Sequence, residues 1–80
     1  MMPTVLREGG LRVIIYTTDH APPHVHVFGD GETKIGLGDG ANASEVIRRV
    51  DATIAESRRA LRIVRGSHAY LMRCWTDLHG

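Results

Sequence analysis

Eighty residues with ten basic and nine acidic side chains, a formal net charge of +1 and 42% apolar residues describe one small folded domain over residues 1–80 and exclude wholesale disorder. One cysteine, Cys74, excludes an internal disulfide, and no apolar run approaches the roughly 18 residues that a membrane span needs. The start, Met1-Met2-Pro3-Thr4, has no basic stretch leading into an apolar one, so a cytoplasmic location is expected.

The charge is unevenly placed: residues 1–40 hold three basic and five acidic side chains, residues 41–80 seven arginines and four acids. Thr4-Val5-Leu6-Arg7-Glu8 is a short β-prone segment, and Leu11-Arg12-Val13-Ile14-Ile15-Tyr16-Thr17 a strong strand. Gly9-Gly10 between them reads as a tight hairpin turn, because both positions accept positive φ. Thr18-Asp19-His20-Ala21-Pro22-Pro23 is a stiff connecting loop, since its two prolines lack amide donors and hold the chain extended. His24-Val25-His26-Val27-Phe28 alternates polar and apolar, the pattern of a half-buried strand, so His24 and His26 share the face opposite Val25 and Val27. After a Gly29-Asp30-Gly31 turn, Glu32-Thr33-Lys34-Ile35-Gly36-Leu37 forms a fourth strand with Lys34 on its polar face. Gly38 to Asn42 is loop, and Ser44–Val50 reads as a fifth strand in preference to a short helix.

Thr53-Ile54-Ala55-Glu56 matches a capping box. The apolar positions that follow, Ile54, Leu61, Val64, Leu71, Trp75 and Leu78, continue in steps of three and four, with Ser57 and His68 on the same stripe. This spacing predicts one long, kinked helix over 54–79, with a helix pair divided at Gly66-Ser67 as the alternative. Arg58, Arg62 and Arg65 share one helix face. Hairpin-length connections make the sheet a small antiparallel β-meander of four to five strands covered by the C-terminal amphipathic helix or helix pair, an α+β fold. A core this thin is expected to lean on a metal, a partner protein or homodimer formation.

The segment His20-Ala21-Pro22-Pro23-His24-Val25-His26 carries three of the five histidines. Two strand histidines on one face and a third on the adjoining loop suit three chemistries. His20, His24 and His26 can ligate zinc or another divalent transition metal, with Asp19 as an orienting group or fourth ligand. Alternatively, paired histidines act as general acid and base on a phosphodiester, with Lys34 stabilising the developing charge and Tyr16 positioning the substrate. In the third reading, the histidines pack at a sheet face or form a partner surface. Trp75 and His68 are read as core, Cys74 as an inert half-buried thiol, and His79 as a frayed end.

Met2-Pro3-Thr4-Val5-Leu6-Arg7, the His20-x-Pro22-Pro23-His24-Val25-His26-Val27 segment, the lysine-bearing strand after it and the Trp75 helix ending at Gly80 together resemble the DUF4160 family of small bacterial proteins. The resemblance spans nearly the whole chain, and the proline-histidine segment is its specific part. Arg65-Gly66-Ser67-His68 departs from the family's more acidic, uninterrupted helix. The resemblance implies a second small protein of the DUF2442 type as partner, in a toxin–antitoxin arrangement. Under that implication the chain is expected to be the toxin-like member acting on RNA, a ribonuclease-like phosphodiesterase. His20, His24, His26 and Lys34 would be its catalytic centre, and Arg58, Arg62 and Arg65 its nucleic-acid-binding surface. The alternatives are a non-catalytic interaction module and a metal-binding protein using His20, His24 and His26.

Overall fold

The structure, a computed structural model, describes residues 4–79; Met1–Pro3 and Gly80, which carry part of the family resemblance, lie outside the described residues. Five strands, β1 (Thr4–Glu8), β2 (Leu11–Ile14), β3 (His24–Phe28), β4 (Glu32–Gly36) and β5 (Glu45–Val50), form one sheet in sequence order. Every pairing is antiparallel. Two helices follow, α1 (Ile54–Gly66) and α2 (His68–His79), giving the expected α+β meander with a helical layer. The ambiguous segment before the helices is a strand, preceded by a single 3-10 turn at Ala41–Ala43 where plain loop was expected.

Local chemistry sets the turns. Gly9 and Gly10 have φ of 57° and 79°, the paired left-handed geometry of a tight hairpin. At the β3–β4 turn, a Cβ on Gly31 would lie 2.3 Å from the Asp51 carbonyl carbon, so the backbones pass too closely for any side chain. Thr53 caps α1 as expected, its Oγ1 accepting from the Glu56 amide at 3.0 Å. The other half of the capping box is diverted. The buried Glu56 carboxylate instead accepts from the amides of Asp30 (2.8 Å) and Gly31 (3.2 Å) and ties the helix start to the β3–β4 turn.

The core lies between one sheet face and the helices. Val13, Ile15, Val25, Val27, Ile35 and Leu37 pack against Ala60, Val64, Leu71 and Trp75. Thr33 and Ser57 share a buried 3.0 Å hydrogen bond across the same layer. Ile54, placed on the apolar stripe by its spacing, is 58% exposed in the first turn of α1, while Ala60 takes a core position.

The helical segment is divided at Ser67, whose φ and ψ of −121° and 24° are not helical, so the helix pair at Gly66-Ser67 given above as the alternative is the arrangement observed. The Ser67 amide donates to both Ile63 and Val64 carbonyls at 3.2 Å, and the Leu71 amide to Ser67 at 2.9 Å, so the ladder bends without ending. His68 Nε2 bonds the Leu37 carbonyl at 3.0 Å and holds the bend against the end of the sheet. The bend lets Ser57, Ala60 and Val64 face the sheet while Leu71 and Trp75 close its end. The Tyr70 hydroxyl donates to the Val5 carbonyl at 2.8 Å and ties α2 to the first strand.

Candidate metal centre

Pleating sends His24 and His26 away from the core valines, as the alternation predicts. Across the sheet on this second face Ile14, His26, Lys34 and Arg48 stand side by side in register. At the histidines the face is not open to solvent, however. His24 and His26 are each 7% exposed, because the β2–β3 loop folds over them. In that loop the Asp19 amide donates to the Tyr16 carbonyl at 3.1 Å, and Asp19 Oδ2 accepts from the Tyr16 amide at 3.2 Å. This double bond pair fixes the Asp19 carboxylate, and the Tyr16 ring meets His26 edge-on at 4.8 Å between centroids.

Each imidazole is oriented from behind. His24 Nδ1 donates to the Pro22 carbonyl at 2.9 Å, and His26 Nδ1 to Glu32 Oε2 at 2.6 Å. A carbonyl and a carboxylate only accept, so Nδ1 carries the hydrogen in both rings and a neutral ring has its lone pair on Nε2. Both Nε2 atoms lie 3.4 Å from Asp19 Oδ2. The three donor atoms of Asp19, His24 and His26 all fall within 4.8 Å of one another. His26 Nε2 is buried with no hydrogen-bond partner. Two imidazole nitrogens and a carboxylate oxygen thus converge on one point, a nitrogen–oxygen donor set of the kind that holds a divalent transition metal.

The dimensions suit a small divalent ion. Tetrahedral zinc with bonds of about 2.0–2.2 Å spaces its donors roughly 3.3–3.5 Å apart, and two of the three donor separations here are 3.4 Å. A cleft of about 380 Å³ opens on the centre, bordered by Thr18, Asp19, His20, His24, Lys34 and Ile47. On the other side of the loop a second cleft, about 550 Å³, runs along Met72, Trp75 and His79.

The sequence-based site is therefore partly regrouped. His24 and His26 come together as expected, and Lys34 faces His26 and borders the cleft. His20 is exposed at the cleft mouth and is not in the donor group; Asp19 takes its place, because the turn at Tyr16–Asp19 points the carboxylate inward. Arg58, Arg62 and Arg65 do not reach the site. They project from α1, which packs on the opposite sheet face, and Arg65 is bound to the Ser44 carbonyl at 2.9 Å. Sequence reasoning missed Glu32, which sits diagonally from His26 across the turn, where the shared alternation of Glu32 and Lys34 was a usable signal. It also missed His79, which is no frayed end: it stacks on Trp75 at 3.8 Å and bonds the Trp75 carbonyl at 2.9 Å. Trp75 is core as expected, and its ring also lies 5.3 Å from His24.

Among the described residues no helix is long and apolar enough to cross a membrane. No curated protein and no solved structure matches the chain. The family described as a domain of unknown function, DUF4160, matches residues 10–76, most of the chain and all of the donor group. The protein belongs to the DUF4160 family.

Proposed function

We propose that this protein is a metalloprotein in which Asp19, His24 and His26 bind one divalent transition metal, zinc foremost. The observation that carries the reading is the convergence of two Nε2 lone pairs on Asp19 Oδ2 at 3.4 Å, each ring anchored through Nδ1 and one Nε2 buried without a partner. Three protein donors leave a coordination position for water or a ligand, the arrangement of catalytic and not of purely structural zinc. Two histidines and one carboxylate also suit iron(II), and elemental analysis separates the two. The experiment is metal analysis of untagged protein, followed by zinc titration against a chromophoric chelator. One zinc per chain is expected, with its loss in the His24→Ala/His26→Ala double variant. Stoichiometric, tight zinc in the double variant refutes the assignment.

The reading of the chain as the RNA-cutting half of a toxin–antitoxin pair draws less support, because the arginine face of α1 and the histidines lie on opposite sides of the sheet. Pairing with a second small protein is favoured by one observation: Ile47 and Val50 are exposed on the edge strand β5, at 52% and 45%. Co-expression with a neighbouring small reading frame tests it. Co-purification is expected, and a chain that stays alone refutes it.

A further inference from the structure

Resting on the metal reading above, we propose that the cleft beside the metal binds a phosphate group, held between the open coordination position and the Lys34 ammonium. Three residues lead there. Lys34 stands directly opposite His26 in the β3–β4 register, on the same face, and borders the cleft together with the donors Asp19 and His24. Asp19 is the cleft's one acidic side chain, and its Oδ2 is turned to the two histidines. With a divalent ion bound, the positive charges of metal, Lys34 and Arg48, the last one strand further along the row, exceed the two carboxylates, Asp19 and the Glu32 that lies between His26 and Arg48. An anion is the complementary ligand.

The placement of the polar groups selects among anions. Lys34 comes from the sheet, whereas Thr18 and His20 come from the loop, and the donors Asp19 and His24 border the same cleft. A tetrahedral phosphate directs oxygens toward the metal, the lysine and the loop together, whereas a planar carboxylate has two oxygens in one plane. The fourth side of the cleft is apolar. A bulge in β5 leaves Ile47 over this face, where its Cδ1 lies 3.0 Å from the place a Gly36 Cβ would occupy. Ile47 is thus a wall against which the organic part of a phosphate ester can rest, and free phosphate would leave it bare.

The test uses the full chain loaded with cobalt(II), with loading confirmed by elemental analysis, and inorganic phosphate and phenyl phosphate as probes. Phosphorus relaxation by the paramagnetic metal reports binding at the centre. Saturable relaxation is expected for wild type, weakened tenfold or more in Lys34→Ala and restored in part by Lys34→Arg. Tighter binding of phenyl phosphate, with the excess removed by Ile47→Ala, identifies an ester; equal binding of both probes identifies free phosphate. Loaded protein that binds neither probe, or binds them equally well after Lys34→Ala, overturns the inference while leaving the metal centre intact. A chain that takes no metal overturns both.

Discussion

Glu32→Ala is the sharpest probe of how the metal centre is built. It leaves all three donors in place and removes only the carboxylate that holds His26 Nδ1 at 2.6 Å. Without it the ring is free to rotate and to move its hydrogen to Nε2, which blocks the lone pair aimed at the metal. Loss of such an outer partner costs about 10–100-fold in metal affinity, or roughly 1.4–2.7 kcal/mol. The apo protein also loses stability, since a charge-assisted hydrogen bond contributes about 1.5–3 kcal/mol, so melting of the apo form alone is not diagnostic. The assay is zinc competition against a chelator at fixed pH, comparing Glu32→Ala, Glu32→Gln and Arg48→Ala. Glu32→Gln keeps an acceptor for Nδ1 and is expected between wild type and Glu32→Ala. Arg48→Ala removes only the 3.9 Å contact of a 57% exposed arginine with Glu32; such exposed pairs contribute about 0–1 kcal/mol, so zinc affinity should stay within about fivefold. Zinc affinity in Glu32→Ala within about threefold of wild type would refute the role given to Glu32.

Three further substitutions test the fold that carries the site. Gly31→Ala forces a Cβ to 2.3 Å from the Asp51 carbonyl carbon, and urea denaturation should show a loss of about 1–3 kcal/mol or more. Glu56→Ala leaves the turn amides of Asp30 and Gly31 without their carboxylate; about 1–3 kcal/mol for each amide that stays buried and unpaired is the expected loss of stability by the same measurement. Gly66→Ala meets open space, has no positive φ, and sits in the last turn of α1, so a gain of about 0.5–1 kcal/mol is expected. A marked loss instead would show that the bend at Ser67 depends on glycine and not on the His68–Leu37 bond.

Much of the chain was legible without tertiary information, for a definite reason. Alternation along His24–Phe28 and Glu32–Leu37 follows from the two-residue pleat, which any strand imposes within a few residues. Positive φ at Gly9-Gly10 and the Thr53 cap are equally local. These short-range terms place His24, His26 and Lys34 on one face and arrange five strands as a meander. What they do not contain is which groups close over that face. Asp19 replaces His20 because a turn at Tyr16–Asp19 directs its carboxylate inward onto rings several residues away. Glu56, which the capping pattern keeps within its own helix, reaches a turn 26 residues earlier. The helical periodicity runs unbroken through residue 67 while Gly66-Ser67 offers a stop, and the fold decides between the two by bending the helix there so that both halves reach the sheet, since spacing records which side of a helix is apolar but not whether its axis is straight. The histidine cluster and Asp19 as a candidate ligand were visible in the sequence; that Asp19 displaces His20 from the donor group, and that Glu32 anchors His26, was decided by the fold.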